Sequence, residues 1–296
     1  MVANHPNSLM DPLILFRTLG RPTRPLAKAP LFKKRALGLI LRGMGGLPVY
    51  RRQDDPSRVR ENRSTFDAAV AALHQGEAVQ IYPEGLTHSE PSLAPLRTGA
   101  ARIAFQAEME REWGLGLTVL PVGLTYRRKA VFRGEAVALI GEPIHPRDWE
   151  AGHAENERVA VRNLTERIRV GLEEVTLNLE SDEERELVEV ADRIYAREAG
   201  LAGWRDREPL GDRMPRLQTF ARGAAWLRTE NPEGYRDLAA RIRSYERAAA
   251  AFGAGDADVP PRYERRATLR FVFREGTLLF LGFPFALVGT VAWLPV

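Results

Sequence analysis

Cysteine is absent from all 296 residues of the chain. Its absence excludes disulfide bonds, metal sites built from thiolates and a cysteine nucleophile. Internal repeats are absent too, and acidic and basic residues nearly balance, with a formal net charge of +4. A chain of this length can bury a sizeable core, and we expect one main domain with an accessory segment.

The small net charge conceals an uneven distribution. Residues 1–60 contain twelve lysines and arginines against three aspartates, a balance of +9. Such a field suits phosphate esters, anionic lipid headgroups or nucleic acid. The basic residues lack interleaved aromatic side chains, so we expect no nucleic-acid partner. In residues 31–44 the bases are mixed with large apolar residues, which is typical of a membrane-surface element.

Residues 4–12 read Asn-His-Pro-Asn-Ser-Leu-Met-Asp-Pro and bring a histidine close to an aspartate. Pro6 disfavours helical geometry at His5, so we expect His5 in a turn before a helix over residues 9–19. A neutral imidazole accepts a proton from a hydroxyl, and a carboxylate on its other nitrogen fixes the tautomer. Asp11 can supply that carboxylate from the first helical turn. At this point the alternative stays open, with His5 as a capping residue and Asp11 as a first-turn acid.

Helix and strand signals alternate through the first half of the chain. The expected strands span 47–50, 78–82, 117–126 and 135–140, and the expected helices span 57–74 and 98–112. This alternation predicts an α/β domain, a sheet covered by helices, over residues 1–148. Only four residues precede His5, so we expect this domain to lack its amino-terminal strand and the chain to be truncated there.

Residues 149–261 are predicted to form an all-helical accessory segment. Apolar residues recur at helical spacing between 164 and 179, and further helices are expected over 183–199, 217–229 and 233–252. Acids outnumber bases sixteen to nine between residues 150 and 208, so the positive field does not extend here. Packing over the active-site face and docking to a membrane both fit this segment.

The last twenty residues, 277–296, contain no charged side chain and follow a flank with five arginines. Twenty residues are just long enough to cross a hydrocarbon core of about 30 Å as a helix. We therefore predict a basic flank and a transmembrane helix over residues 262–296, truncated at its far end. The arginines place the flank on the cytoplasmic side. The alternative is a buried helix of a soluble domain.

Three further blocks follow the first one. Residues 45–52 read Gly-Gly-Leu-Pro-Val-Tyr-Arg-Arg, in which Arg51 can offer a bidentate fork to phosphate, or can simply be solvated. Residues 82–89 read Tyr-Pro-Glu-Gly-Leu-Thr-His-Ser after an expected strand. Here Glu84 can bind a hydroxyl or an amine, and Gly85 lets backbone amides approach an oxygen, unless the block is a plain β-turn. Residues 120–126 read Leu-Pro-Val-Gly-Leu-Thr-Tyr.

In this order the four blocks resemble the glycerolipid acyltransferase family, the PlsC-like enzymes that acylate glycerol-3-phosphate, lysophosphatidate and related lipids. The resemblance covers residues 3–143 and implies the family's fold. The implied catalytic residues are His5 as general base and Asp11 as the carboxylate that orients it. Gly46 and Arg51 fall on the phosphate block, Glu84 and Gly85 on the block that binds the acceptor glycerol, and Pro121 and Val122 on the block linked to the acyl donor.

The implied reaction is attack by an acceptor hydroxyl on an acyl thioester of coenzyme A or acyl carrier protein. The resemblance implies no cofactor, no metal and no covalent acyl-enzyme. The expected partners are a membrane lipid and the acyl donor, with the active site on the cytoplasmic face of a membrane. Acylation of a lysophospholipid or another hydroxylated lipid, and a non-catalytic lipid-binding protein of the same fold, are the alternatives. The oligomeric state is left open.

Two positions depart from the family's usual pattern. Five residues separate His5 from Asp11 instead of four, as in branches that open with His-Pro-Asn. The third block is commonly Pro-Glu-Gly-Thr-Arg-Ser, whereas here a leucine precedes Thr87 and His88 stands where an arginine is expected. Thr87 is included among the predicted acceptor-binding residues, and Arg97 is the candidate for the missing charge.

Overall fold

Six strands and ten helices form in the part of the chain that the computed structural model describes, residues 1–18, 20–50, 62–129, 131, 134–201, 208–253 and 265–293. The strands are β1 (Val2–Ala3), β2 (Thr23–Lys28), β3 (Leu47–Val49), β4 (Ala78–Gln80), β5 (Pro121–Arg127) and β6 (Glu135–Ile140). The helices are α1 (Met10–Thr18), α2 (Arg35–Gly43), α3 (Asn62–His74), α4 (Gly99–Met109), α5 (Glu150–Glu155), α6 (Glu157–Val175), α7 (Asp182–Glu198), α8 (Leu210–Glu230), α9 (Pro232–Ala251) and α10 (Arg265–Trp293). The predicted α/β class is confirmed.

The strands form a mixed sheet in two halves. β2 lies between β3 and β4 and is parallel to both, while β5 lies between β1, to which it is parallel, and the antiparallel β6. A bridge between Val2 and Ile81 joins the halves in the order β3-β2-β4-β1-β5-β6. The carboxyl ends of the parallel strands β1 and β4 therefore lie side by side, followed by His5 and Tyr82. In open α/β sheets this edge is where ligands bind.

The strand before His5 is present in a short form, although the sequence analysis expects it to be missing. Val2 pairs with Pro121, and Ala3 pairs with Val122 of β5. On the other side, the amide of Ala3 donates to the carbonyl of Ile81 at 3.0 Å. Two residues are enough here because neighbouring backbone holds them on both sides.

The sequence analysis does not predict β2. Its sequence contains Pro25, which lacks the amide hydrogen that a central strand normally uses. In the structure Pro25 lies opposite Gln80 of β4, and β2 nevertheless pairs with strands on both sides. Lys28, the last residue of β2, lies at the edge of the sheet that also carries His5.

Helix α6 packs against the sheet through β5. Buried Leu164 and Ile168 of α6 join Val2 of β1 in one core cluster. Gly123 of β5 permits the close approach, since a Cβ at this position would come within 1.8 Å of the carbonyl oxygen of Val175. The first long helix of the predicted accessory segment is thus part of the core of the α/β domain.

The chain divides into two compact units. The first comprises Met1–Asp192 and Glu208–Ala239, and the second comprises Arg193–Arg207 and Ala240–Val296. The first unit contains the sheet together with helices α5, α6 and α8. The predicted boundaries near residues 148 and 261 stay predictions.

The carboxy-terminal helix α10 differs from the predicted transmembrane helix. Among the helices in the described ranges, none is both long enough and apolar enough to cross a membrane. The first eleven residues of α10 carry four arginines and one glutamate, and Pro284 interrupts its apolar part. Residues 294–296 of the predicted span lie outside the described residues. The prediction of a spanning helix over 277–296 is therefore not confirmed.

A buried ion-pair network fastens α7 to α8 within the first unit. The Asp192 carboxylate, only 1% exposed, accepts hydrogen bonds from Nε of Arg213 and, at 2.5 Å, from Nε of Arg216. Arg216 also donates to both carboxylate oxygens of Glu208, at 2.8 and 2.6 Å. Hydrogen bonding to Arg216 lowers the pKa of Glu208. Removing one partner from a buried network of this kind leaves charge uncompensated in the interior.

Replacing Asp192 tests this network. We expect Asp192→Asn to lower the free energy of unfolding by about 3 kcal/mol, because two guanidinium groups lose their buried counter-charge. Chemical denaturation followed by circular dichroism measures the change. The matched control is Glu166→Gln, which removes one carboxylate from the exposed pair with Arg169 on α6 and should cost far less. Equal losses in the two variants would contradict the role given to Asp192.

Candidate active site

His5 and Asp11 form the hydrogen-bonded pair that their spacing predicts. Nδ1 of His5 lies 2.8 Å from Oδ2 of Asp11, within the range of about 2.6 to 3.2 Å expected for a base and its orienting group. Five residues separate His5 from Asp11 instead of the family's usual four, and the turn between them accommodates the fifth. The amide of Asn7 donates to the same Oδ2 atom at 2.8 Å, and Ser8 adopts a positive φ of 24°. The turn therefore folds His5 back onto the start of α1.

The carboxylate of Asp11 is fully buried and hydrogen-bonded at both oxygens. Oδ2 accepts from His5 and Asn7, and Oδ1 accepts from the hydroxyl of Tyr126 on β5 at 2.5 Å. Burial and the hydrogen bond to Asp11 raise the pKa of Tyr126, so its phenol stays protonated and donates. Three donors thus hold the carboxylate in one orientation.

The imidazole of His5 is fixed on two sides and open on a third. With Nδ1 directed at Asp11, Nε2 is the nitrogen that remains for a substrate proton. The ring stacks on Tyr82, with centroids 4.0 Å apart and planes inclined by 22°. His5 also lines a cavity of about 510 Å³. These contacts hold the imidazole in one orientation at the wall of the cavity.

The walls of this cavity are mainly apolar, and its charged lining residues are all basic. The apolar side chains come from α1 and the residue before it, and from β2, α2, α3 and α4. They include Leu9, Leu26, Leu41, Phe66 and Ile103. The charged ones are Lys28, Arg97 and Arg102, and no acidic residue of the described ranges joins them. Such a chamber suits a molecule that combines an anionic group with a hydrocarbon chain.

The turn after β4 brings three predicted acceptor-binding residues to the cavity wall. Gly85 has a positive φ of 71°, and a Cβ there would lie 2.6 Å from Nε of Arg97. The amide of Arg97 donates to the carbonyl of Pro83 at 2.8 Å. Thr87 also lines the cavity and accepts a hydrogen bond from Ser8 at 3.3 Å. The structure thus places Gly85, Thr87 and Arg97 in the same cavity as His5.

Glu84 lies behind this turn and is not one of the residues that line the cavity. Its buried Oε2 atom accepts from the amide of Ala94 at 2.7 Å and from Nε2 of His88. Nδ1 of His88 accepts from the amide of Glu90 at 3.2 Å, which places the proton of a neutral ring on Nε2. The Oε1 atom of Glu84 is buried and has no hydrogen-bond partner within the described ranges. Binding of the acceptor by Glu84 stays a prediction.

Gly46, Pro121 and Val122 are not among the residues that line the cavity. Gly46 belongs to the turn before β3, where a Cβ would come 2.8 Å from the carbonyl oxygen of Leu41. Pro121 and Val122 belong to β5 and pair with β1, so they support the strand that carries His5. Arg51 lies outside the described residues. The phosphate and acyl-donor roles of these four residues stay predictions.

The sequence analysis does not single out four residues of the site, which are Lys28, Tyr82, Arg102 and Tyr126. Lys28 ends a strand that Pro25 makes hard to recognise. Tyr82 and Tyr126 contact His5 and Asp11 respectively. Their only sequence signal is position, because each tyrosine stands at one end of a motif block.

Comparisons with known proteins point to the same family that the four blocks resemble. Residues 1–125 match the model of the protein family described as Acyltransferase. Glycerol-3-phosphate O-acyltransferase 2 of Saccharomyces cerevisiae is 33% identical over 137 residues, which cover 46% of this chain and 18% of that protein. Glycerol-3-phosphate O-acyltransferase 1 of the same yeast is 27% identical over 233 residues, which cover 76% of this chain and 29% of that protein. The chain spans less than a third of the length of either relative.

Among solved structures, the 1-acyl-sn-glycerophosphate acyltransferase PlsC of Thermotoga maritima is similar, with a TM-score of 0.40 and 22% identity over 59% of this chain and 64% of that chain. The range matched by the family includes every predicted site residue, from His5 to Val122. The match of residues 1–125 to the family model and the two yeast relatives confirm the predicted resemblance of the four blocks to the glycerolipid acyltransferases.

Proposed function

We propose that the protein transfers a fatty acyl group from a thioester of coenzyme A or acyl carrier protein to a hydroxyl of glycerol-3-phosphate or 1-acylglycerol-3-phosphate, as a step of phospholipid biosynthesis. The observation that carries this proposal is the His5–Asp11 pair at the wall of a cavity whose charged residues are all basic. The names of the two yeast relatives support the acceptor class. The reaction needs no cofactor beyond the acyl thioester.

In the proposed mechanism, Nε2 of His5 removes the proton of the acceptor hydroxyl while Nδ1–H donates to Asp11. The acceptor oxygen attacks the thioester carbonyl, forming the new C–O bond. When the tetrahedral intermediate collapses, the C–S bond breaks and the thiolate takes the proton from Nε2. The products are an ester and a free thiol, and His5 returns to its neutral form. The Asp11 carboxylate stabilises the imidazolium that exists between these two proton transfers.

The cavity offers separate surfaces to the two parts of the substrate. Lys28, Arg97 and Arg102 supply positive charge for the phosphate of the acceptor. The apolar walls accommodate the hydrocarbon chain of an acyl group. Arg51, which the sequence analysis assigns to the phosphate, remains a further predicted ligand.

The outer faces of α1 and α2 fit an anionic membrane surface and adjoin the cavity. Exposed apolar residues on these helices and directly before α1 are Leu9, Met10, Leu13, Phe16, Leu39 and Ile40. Exposed basic residues beside them are Arg17, Lys33, Lys34, Arg35 and Arg42. Apolar groups that enter the headgroup region, together with basic groups that attract anionic lipid, produce surface binding. A substrate could then enter from the lipid directly. The cytoplasmic location of this face stays a prediction.

The general base is tested with labelled acyl-CoA and a panel of acceptors that includes glycerol-3-phosphate, 1-acylglycerol-3-phosphate and a lysophospholipid without a phosphomonoester. We expect transfer to the first or second acceptor and a loss of about 10²- to 10⁴-fold in kcat for His5→Ala. His145→Ala, which removes an exposed histidine that does not line the cavity, serves as the control. Undiminished transfer by His5→Ala would rule out the mechanism, and lipid binding without turnover by the natural chain would indicate a non-catalytic protein.

The proposed binding of the acceptor phosphate by Arg97 can be tested by substituting Gly85. In Gly85→Ala the new methyl group must displace the Arg97 side chain, so we expect the apparent KM for the phosphorylated acceptor to rise about tenfold, the effect of ~1.4 kcal/mol. Gly76→Ala is the matched control, because Gly76 has a similar φ of 74° but has open space where the methyl group would lie. Both variants carry the strain of a positive φ. An equal KM in the two variants would show that Arg97 does not bind the acceptor.

Membrane binding is tested by co-sedimentation with vesicles of phosphatidylcholine and phosphatidylglycerol. We expect Leu39→Asp, at the 70% exposed position on α2, to bind about tenfold more weakly, since it replaces an inserting side chain by a charge that anionic lipid repels. Leu238→Asp, at a 43% exposed position on α9, introduces the same charge outside the proposed surface and should retain more binding. Equal weakening would argue against docking through α1 and α2.

A further inference from the structure

The hydrogen bond between Tyr126 and Asp11 joins two elements that lie 115 residues apart in the chain. It occupies Oδ1, the carboxylate oxygen that His5 does not use. Without it, the donors to the buried carboxylate would be the imidazole of His5 and the amide of Asn7, both on Oδ2. The carboxylate could then turn about its own axis while keeping one of these bonds. The phenol removes that freedom.

Tyr126 does not line the cavity. The residues that line the cavity include His5 and Tyr82 but neither Asp11 nor Tyr126. We therefore expect an effect of Tyr126 on catalysis to pass through Asp11, to which it donates. This separates it from Tyr82, which stacks on the imidazole and also lines the cavity.

The position of Tyr126 is itself fixed from two directions. In the sheet it lies opposite Ala136 of β6. The next residue, Arg127, pairs with Glu135 at 3.0 Å and donates to the backbone carbonyl of Glu208 at 2.9 Å. Glu208 is held by Arg216 in the network around Asp192. The segment before α8 thus anchors the end of β5, one residue beyond the phenol.

We propose that Tyr126 is a positioning residue of the acyltransferase, whose hydroxyl holds Asp11 in the rotamer that orients His5 and disperses part of the negative charge on its carboxylate. This inference rests on the proposed function only in assigning the base to His5. The arrangement of the three side chains can be tested without turnover.

The groups that face the pair come from each surrounding element. Tyr82 lies against the ring of His5, and burial raises its pKa, so it stays neutral. Lys129, after β5, places its Nζ atom 3.5 Å from the carbonyl of Pro6. On the loop after β4, the backbone amide of His88 donates to the carbonyl of His5 at 3.3 Å, and the His88 ring pairs with Glu84. The effect of Tyr126 is therefore read as the difference between Tyr126→Phe and the natural chain, in which all these groups are the same.

The test is Tyr126→Phe, which keeps the ring and removes only the hydroxyl. We expect kcat to fall about 10- to 100-fold through loss of orientation, with the KM of the acceptor changed less than about twofold, because Tyr126 does not line the cavity. Losing a donor concentrates charge on Asp11 and favours the imidazolium form of His5. The acidic limb of the plot of kcat/KM against pH should therefore move to higher pH.

A second measurement does not require activity. The proton on Nδ1 of His5 should give a downfield signal in the NMR spectrum, assigned by its loss in His5→Ala among five histidines. In Tyr126→Phe we expect this signal to move, because Asp11 becomes a stronger acceptor. Tyr195→Phe makes the same chemical change at a half-exposed position and should leave both signal and kinetics unchanged. Thermal unfolding verifies that each variant is folded.

The outcomes separate the two proposals. A folded Tyr126→Phe protein with unchanged kcat, pH profile and His5 signal overturns the role of Tyr126, even if the enzyme transfers acyl groups as proposed. A shifted His5 signal in a protein that transfers no acyl group supports the role of Tyr126 and overturns the proposed function instead. A fall in kcat with an unmoved pH profile and signal also overturns the proposal, because a purely structural defect explains it.

Discussion

The carboxylate of Asp11 is buried, and a buried carboxylate is stable only when hydrogen-bond donors surround it. At this position the donors come from separate parts of the fold: the imidazole that follows β1, the amide of Asn7 in the turn, and the phenol of Tyr126 on β5. They can meet only if β1 lies beside β5 and α1 folds back over the end of β1. The arrangement that supplies hydrogen-bond donors to Asp11 therefore also forms the amino-terminal part of the sheet and the site.

Local chemistry explains what the sequence could predict. His5 and Asp11 are six residues apart, and Pro6 limits how the chain runs between them, so their contact follows from the turn and the start of α1 alone. The bounds of β6, Glu135–Ile140, are also those predicted, because a regular apolar pattern ends at a Gly-Glu-Pro turn. In both cases the deciding interactions lie within a few residues.

Non-local pairing explains what the sequence could not predict. The partner of Oδ1 depends on the order of the strands, and nothing near Tyr126 in the sequence points to Asp11. The sequence analysis does not predict β2 for a related reason. Pro25 removes one hydrogen-bond donor and makes the segment look unlike a central strand, yet pairing with β3 and β4 through its other residues outweighs that loss. Lys28 reaches the cavity only because this strand forms.

The loop that follows the block at residues 82–89 places the positive charge of Arg97 in the cavity, although position 88 is a histidine and not an arginine. Nδ1 of His88 accepts from the amide of Glu90, and its Nε2 atom is directed at Glu84, so both ring nitrogens are engaged within the turn. Glu84 also accepts from the amide of Ala94, which draws the following stretch of chain back against the block. That stretch ends at Arg97.

The same loop explains why Glu84 is buried although it belongs to a predicted binding block. By binding the amide of Ala94, Glu84 shortens the path between the turn at Gly85 and Arg97, and the amide of Arg97 closes the loop on the carbonyl of Pro83. The guanidinium can then lie against Gly85 only because glycine has no Cβ. The buried carboxylate of Glu84, the closed loop and the absence of a side chain at Gly85 together place Arg97 in the cavity that His5 also lines.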